Sequence, residues 1–427
     1  MSVFLLRHMK SQLDLIELAR VRAEYAVQSG VAMGVTAAKS ASDLRRSFET
    51  RLRSGEEVIV HTQPWGALVA VTSTGRAGKG TATLTALASD APSPLFRQAL
   101  VFGNQSHQLI FAGTSSIVGD ISVGQSGAST GTLKERPPPR RLPVTGSVSK
   151  VSGPSQPLFS SPWLTDQLHE VLRLLEESRS QTRVFSNSVQ IGNSGVSWLD
   201  PSLIADSTEY VFVRGDLRVS QSIHRDRPLR VVVTGNVRIS SSARITGLIH
   251  LIASGPITVE DSVATEQVVL SSQESVSLED SVSFSGQIIA PLITVSDGAM
   301  CTYPTVLLST REMGGSTATR GIHLGGNTTV EGTVIMIPQD RARVDEQLIV
   351  IEPSATVVGT VYTTGAMTLD GTVIGTVITN DFYFYEAPTQ YFGWLRSGRI
   401  NREELPRSFL VPPGFQSQMK LQVLDWL

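Results

Sequence analysis

Two hydrophobic periods divide this chain. Residues 11–53, SQLDLIELARVRAEYAVQSGVAMGVTAAKSASDLRRSFETRLR, contain no proline, and Leu15, Leu18, Arg22, Tyr25 and Ala26 share a face at three-and-four spacing. That pattern predicts a long helix, and the Ala- and Gly-rich stretch Ala19–Ala41 allows it to pack closely. It would lie on its own domain, or form the stalk of a helix whose membrane part is missing from this chain. From 56 to 123 the period drops to two, in EEVIVHTQ, ALVAVTST, KGTATLTALAS and QLIFAGTSSIVGDISVG. Turn signals such as Pro64-Trp65-Gly66 separate these runs, so a small antiparallel sheet against the helix is expected. Residues 124–161 are rich in Gly, Ser and Pro and poor in large apolar side chains, including Pro137-Pro138-Pro139. They read as a linker too polar to offset its ordering entropy. A second helix, about Trp163 to Arg179, follows, with an apolar stripe of Leu164, Leu168, Val171, Leu172 and Leu175 and Thr165 or Ser161 available to cap it.

The most informative stretch runs from about Val184 to Thr379. NVRISSSA, PITVEDSV, SVSLEDSV and LITVSDGA align on Ile239, Val259, Leu278 and Val295, in steps of 20, 19 and 17 residues. Other short apolar runs lie between them. A later series, TTVEGTVIM, ATVVGTVYT and MTLDGTVIGTVIT, aligns Gly332, Gly359 and Gly371. Repeats of this length built from short strands point to a solenoid. Hairpin dipeptides are scarce, so a parallel β-helix is expected, with Val259, Leu278 and Val295 in one interior row. The open ends of such a helix need covering. The second helix would cover one, and the tail, with Phe382, Tyr383, Phe384, Tyr385, Tyr391, Phe392 and Trp394, the other. The alternative for those aromatics is a carbohydrate platform. The expected fold is mainly β. An N-terminal helix and small β domain would occupy 1–123, a linker 124–161, the capping helix and parallel β-helix 162–385, and a C-terminal cap or tail 386–427.

Composition agrees with this reading. Charged residues are 17% and aromatics 6%, with a formal net charge of −2, which gives no electrostatic case for nucleic acid. One cysteine, Cys301, excludes an intrachain disulfide and a cysteine-based zinc site. No run of about 18 apolar residues is present, so no membrane span is expected. The histidines, His8, His61, His107, His169, His224, His250 and His323, are scattered without metal-ligand spacing, and Gly321–Gly326 reads as a turn. Asp261, Asp280 and Asp297 hold one place in three successive repeats and would stack about 4.8 Å apart. Such a column suits turn chemistry, weak calcium binding or polysaccharide cleavage. No base recurs beside it, so turns are the expectation, and no catalytic, cofactor-binding or metal residue is assigned.

One resemblance adds to this. In ELARVRAEYAVQSGVAMGV, Arg22-Ala23-Glu24-Tyr25-Ala26 and Ser29-Gly30 resemble the stretch after the membrane helix in minor pilins of the PilX type. Residues 98–124 resemble the segment that opens a β-helical region in the same proteins. The repeats and the tail look like pilin-associated β-helix proteins and, more distantly, bactofilins. The resemblance implies a non-catalytic structural or adhesive component of a pilus-like or secretion apparatus at the cell envelope or extracellular surface. Its partners would be other pilin-like subunits, through the N-terminal helix, and surface polysaccharide. The rival readings are a cytoplasmic cytoskeletal polymer and a polysaccharide-binding or -cleaving β-helix. The resemblance also implies an apolar helix upstream of Met1, unless the chain is a soluble relative.

Overall fold

The computed structural model describes the chain except residues 1, 39–43, 93, 134–137, 153–158, 160–161, 181–187, 192–195, 241–242, 311–312, 314–319, 338–346, 407–408, 416–419 and 427. Ser161, Pro137 and the first residues of the expected repeat region therefore lie outside the described residues. The chain forms two units. One comprises residues 1–91, 159–164 and 412–427, and the other 92–158 and 165–411.

In the first unit, helix α1 (Ser2–Ala37) lies on an antiparallel sheet of strands β1 (Arg46–Arg51), β2 (Glu57–Trp65), β3 (Leu68–Ala77) and β4 (Gly80–Asp90), with Leu421–Trp426 beside β4. The helix ends earlier than its pattern suggested. Residues 46–51 form an edge strand because Arg-Ser-Phe-Glu-Thr-Arg alternates at period two and pairs along β2. The packed face also differs from expectation. Ala23, Ala26, Val27, Val31 and Val35 are buried, whereas Leu15, Leu18 and Tyr25 are exposed. The close approach explains the choice. A side chain at Gly30 would meet Ser73 Oγ at 2.1 Å, and one at Gly80 would meet the Ala19 carbonyl at 2.6 Å. Only small residues fit between helix and sheet. Arg22 fastens the helix laterally, donating to Glu56 Oε1 (2.6 Å) and the Ser54 carbonyl (2.9 Å).

The second unit is a parallel β-solenoid. A sixteen-stranded sheet and an eleven-stranded sheet each run from coil to coil in parallel register, except that the second ends in the antiparallel pair Asp381–Glu386 and Thr389–Phe392. The interior is built from columns. Val259, Leu278 and Val295 are direct register partners, as expected, and the row extends to Ile239, Leu324, Ile351 and Leu369. On the longer sheet, Val231, Leu251, Leu270, Ile288, Leu307, Val334, Val361 and Val377 form a second row. All of these residues belong to one buried cluster. Cys301 sits in a third row between Phe284 and Val330, and burial pushes its thiol up to about 12, which leaves it unreactive.

The glycine series is displaced by one motif. Gly332 pairs with Gly359, and Gly359 pairs with Gly375, not Gly371. The doubled Gly-Thr-Val in the last repeat allows both alignments, and the sheet register selects the second. The Gly332–Gly359–Gly375 column marks the corner where each coil crosses the carbonyl of the coil before it.

The outer face of the longer sheet is also buried along the row Val232, Ile252, Ser271, Ile289, Leu308, Ile335, Tyr362 and Ile378. Beside it, His250 hydrogen-bonds Ser271 Oγ at 2.8 Å. Burial, with the positive Arg230 nearby, pushes the His250 imidazole down from 6.5 to about 3. Between those values the unfolded chain takes up a proton that the folded chain refuses, so stability is expected to fall as pH drops below 6.5. This group alone contributes about 2 kcal/mol between pH 6.5 and 5. His250→Gln is expected to flatten that part of the profile, read as the difference between urea midpoints at pH 7 and pH 5. An equal difference in both proteins would show that His250 is not the titrating group.

Residues 92–158 correct the expected organisation. The boundary falls at 91, not 123, and the strands of 100–123 are parallel coil strands rather than part of the antiparallel sheet. Leu100–Phe102 pairs with Val377–Thr379, and Ser116–Val118 with Arg399–Asn401. The expected linker contributes Ala128–Thr130, Val144–Thr145 and Val148–Lys150, which stack on Leu109–Phe111, Ile117–Val118 and Ile121–Val123. The far end of the solenoid is thus extended by coils from early in the sequence rather than covered by the tail. Helix α2 (Pro162–Ser180) forms as expected. In its last turn Arg179 donates to Gln273 Oε1 (3.2 Å), in the turn after the strand Ala264–Ser272.

Candidate functional site

Three places were singled out by sequence or by geometry. The first is the N-terminal half of α1. Met9, Leu13, Leu15, Ile16, Leu18 and Tyr25 are each more than half exposed. Burying a large apolar side chain is worth about 1.5–3 kcal/mol, so a helix that turns its small residues inward and its large ones outward leaves stabilisation unused within the unit. Among the described residues, no helix is long and apolar enough to cross a membrane.

The second is the carboxylate column. Asp261, Asp280 and Asp297 are all exposed. Each sits one residue before a left-handed position: Ser262 (φ 62°), Ser281 (φ 61°) and Gly298 (φ 77°). The turns close by Val263 N–H donating to the Glu260 carbonyl (3.3 Å) and Ala299 N–H to the Ser296 carbonyl (3.2 Å). This is β-turn geometry with a left-handed third residue. Among the described residues, no group of three or more His, Cys, Asp or Glu is placed to hold a metal ion.

The third is the aromatic hairpin Asp381–Glu386 and Thr389–Phe392. Phe384 and Tyr391 stack at 4.6 Å, and Trp394 meets Tyr391 edge-on at 5.8 Å. Arg396 lies 4.6 Å from the Phe384 ring centre while forking onto both Asp370 oxygens (2.8 and 2.5 Å). Phe382, Tyr383 and Phe384 are buried and Tyr385 is exposed, so the cluster is chiefly packing.

Sequence reading missed the polar knot beneath it. Asp381 accepts from Asn104 Nδ2 (2.9 Å) and from the Gly393 N–H (2.8 Å), and it pairs with His107. The two partners lie 274 residues apart. No local spacing could have disclosed them. Burial raises the Asp381 carboxyl above its usual range, and His107 opposes that shift. His107 Nδ1 faces the Asp381 carboxylate, and the ring packs on Phe392. The knot ties the 103–107 loop to the hairpin, and Thr379 Oγ1 donates to the Asp381 carbonyl (2.8 Å).

No protein-family model and no curated protein matches this chain. Among solved structures, it is similar to the competence-associated pilin ComZ from Thermus thermophilus, with 9% identity over 96% of this chain and 97% of that one and a TM-score of 0.22. At that TM-score the functional reading rests on the chain's own geometry.

Proposed function

We propose that the protein is a non-catalytic structural or adhesive subunit of a pilus-like or secretion apparatus of the cell envelope. In this reading the exposed half of α1 packs against the same helix of other subunits, and the solenoid is displayed outward. The carrying observation is α1 itself, whose small-residue face is spent on its own sheet while Leu13, Ile16 and Leu18 are exposed. The sequence resemblance to PilX-type minor pilins supports the same role, with an envelope or extracellular location.

The test is assembly. Wild-type protein is expected to sediment as concentration-dependent oligomers. Leu13→Asp with Ile16→Asp is expected to sediment as a monomer with an unchanged melting temperature, because neither residue packs within the unit. A wild type that stays monomeric at high concentration, or a variant that still assembles, would sink the reading. No hydrolase or lyase activity is expected, because cleavage needs two carboxyl groups in contrasting environments or a base beside a bound cation, and the Asp turns are alike and solvated. A reducing-sugar release screen with and without calcium checks this, and activity lost in Asp280→Asn would make the protein an enzyme.

A further inference from the structure

The outward row of the eleven-stranded sheet differs sharply along its length. Trp198 is in register with Arg218, Arg218 with Arg238, and Arg238 with Thr258. Their neighbours Leu217, Val219, Val237 and Ile239 point into the core, so these four face outward at the spacing of the coils. Trp198 is 53% exposed although the Arg218 guanidinium lies 5.4 Å from its ring centre. The strands here border a cavity of about 280 Å³ lined by Asp216, Arg218, Asn236, Arg238, Pro256 and Thr258.

We propose that this face of the first coils, centred on Trp198, Arg218 and Arg238, binds an acidic polysaccharide lying along the solenoid axis. A sugar ring presents an apolar C–H face that suits an exposed indole, and its carboxylates suit a guanidinium; Arg238 pairs with Glu260 through Nε (3.3 Å) yet stays 54% exposed. Asn236 and Thr258 supply partners for hydroxyls. The coil spacing places one set of contacts at each step along the axis.

Charge placement fixes the position. Residues 196–246 of the first coils carry seven Arg against five Asp and Glu, whereas residues 247–310 contain seven Asp and Glu and no Lys or Arg. Acidic polymer is therefore attracted at one end of the solenoid and repelled from its middle. Asp216, whose Oδ1 accepts the Asn236 N–H (2.8 Å), adds a carboxylate inside the groove. That disfavours a phosphate backbone, which would require uniformly basic walls, relative to a sugar chain with alternating hydroxyl and carboxylate groups.

The site lies in the second unit and does not depend on α1, so it and the assembly reading fail separately. The experiment is a titration of the full chain with alginate oligosaccharides, with dextran and single-stranded DNA as comparison probes. Binding of alginate but not dextran is expected. Trp198→Ala and Arg238→Ala should each weaken it roughly tenfold or more at unchanged melting temperature. The same substitution at Tyr385, an exposed aromatic on the distant hairpin, should leave it intact. Three results would overturn the proposal: no alginate binding by wild type, equal affinity for single-stranded DNA, or full affinity in both site variants.

Discussion

Gly375→Val is expected to unfold the last coils of the solenoid. Its φ is 150°, a conformation that side chains rarely adopt, and a Cβ built there would lie 1.8 Å from the Gly359 carbonyl oxygen. The same contact is 1.9 Å at Gly359 and 1.9 Å at Gly332, so neither neighbour can move aside without pressing on the next coil. Backbone strain and overpacking each cost about 1–3 kcal/mol, which together approach the whole stability of an ordinary domain. Gly298→Asn provides the control. It has φ 77° with open space around it, and the equivalent turns already carry Ser262 and Ser281. The expected result is a fall in the urea midpoint of more than about 3 kcal/mol equivalent for Gly375→Val, against less than about 1 for Gly298→Asn. Similar midpoints would show that the corner carbonyls are not stacked as described.

Val259→Asp is expected to be comparably damaging for a different reason. Val259 is fully buried between Ile239 and Leu278, with no polar group in its row to receive a carboxylate. An unpaired charge there costs several kcal/mol, about 3–5, or stays protonated at a similar cost at neutral pH. Ser262→Asp, three residues on at an exposed turn position, should cost little beyond the left-handed backbone that Ser already tolerates. The two melting temperatures measured side by side decide the register. Equal values would mean that Val259 does not face the interior.

The repeats made the solenoid legible because each coil reproduces the same local constraint. Val259, Leu278 and Val295 are interior for the same reason, and three copies of one signal outweigh the ambiguity of any one. The Asp turns were legible on the same ground. What escaped was non-local. Ala128–Thr130, Val144–Thr145 and Val148–Lys150 form strands although half of their side chains are Ser or Thr, because neighbouring coils supply the partners: Ser149 Oγ donates to the Ile121 carbonyl (3.1 Å) and, beside these strands, Ser147 Oγ to Asp120 (2.6 Å). A polar tract of that kind has no hydrophobic period to betray it. The packed face of α1 was misread because size, not hydrophobicity, decides which residues fit against Gly75 and Gly80. The Asp381–His107 knot and the Trp198–Arg218 row exist only once strands distant in sequence are aligned.

The closure of the far end by early residues has a consequence for biogenesis. Leu100 pairs with Val377, and Ile117 with Ile400, across nearly two thirds of the chain. A ribosome releases 100–150 first, and these strands can pair among themselves, but they have no solenoid to join until residues 372–401 emerge. An ordinary solenoid can grow from either terminus, one coil templating the next. Here the coils synthesised early can join the solenoid only after the last one exists, so completion of the fold is gated by a contact of very high sequence separation and is correspondingly slow. During that interval the short edges at 100–102 and 116–118 are open to pairing with another nascent chain. A chaperone that shields the early segment until translation ends would therefore raise the yield of native protein more than one acting on the finished chain.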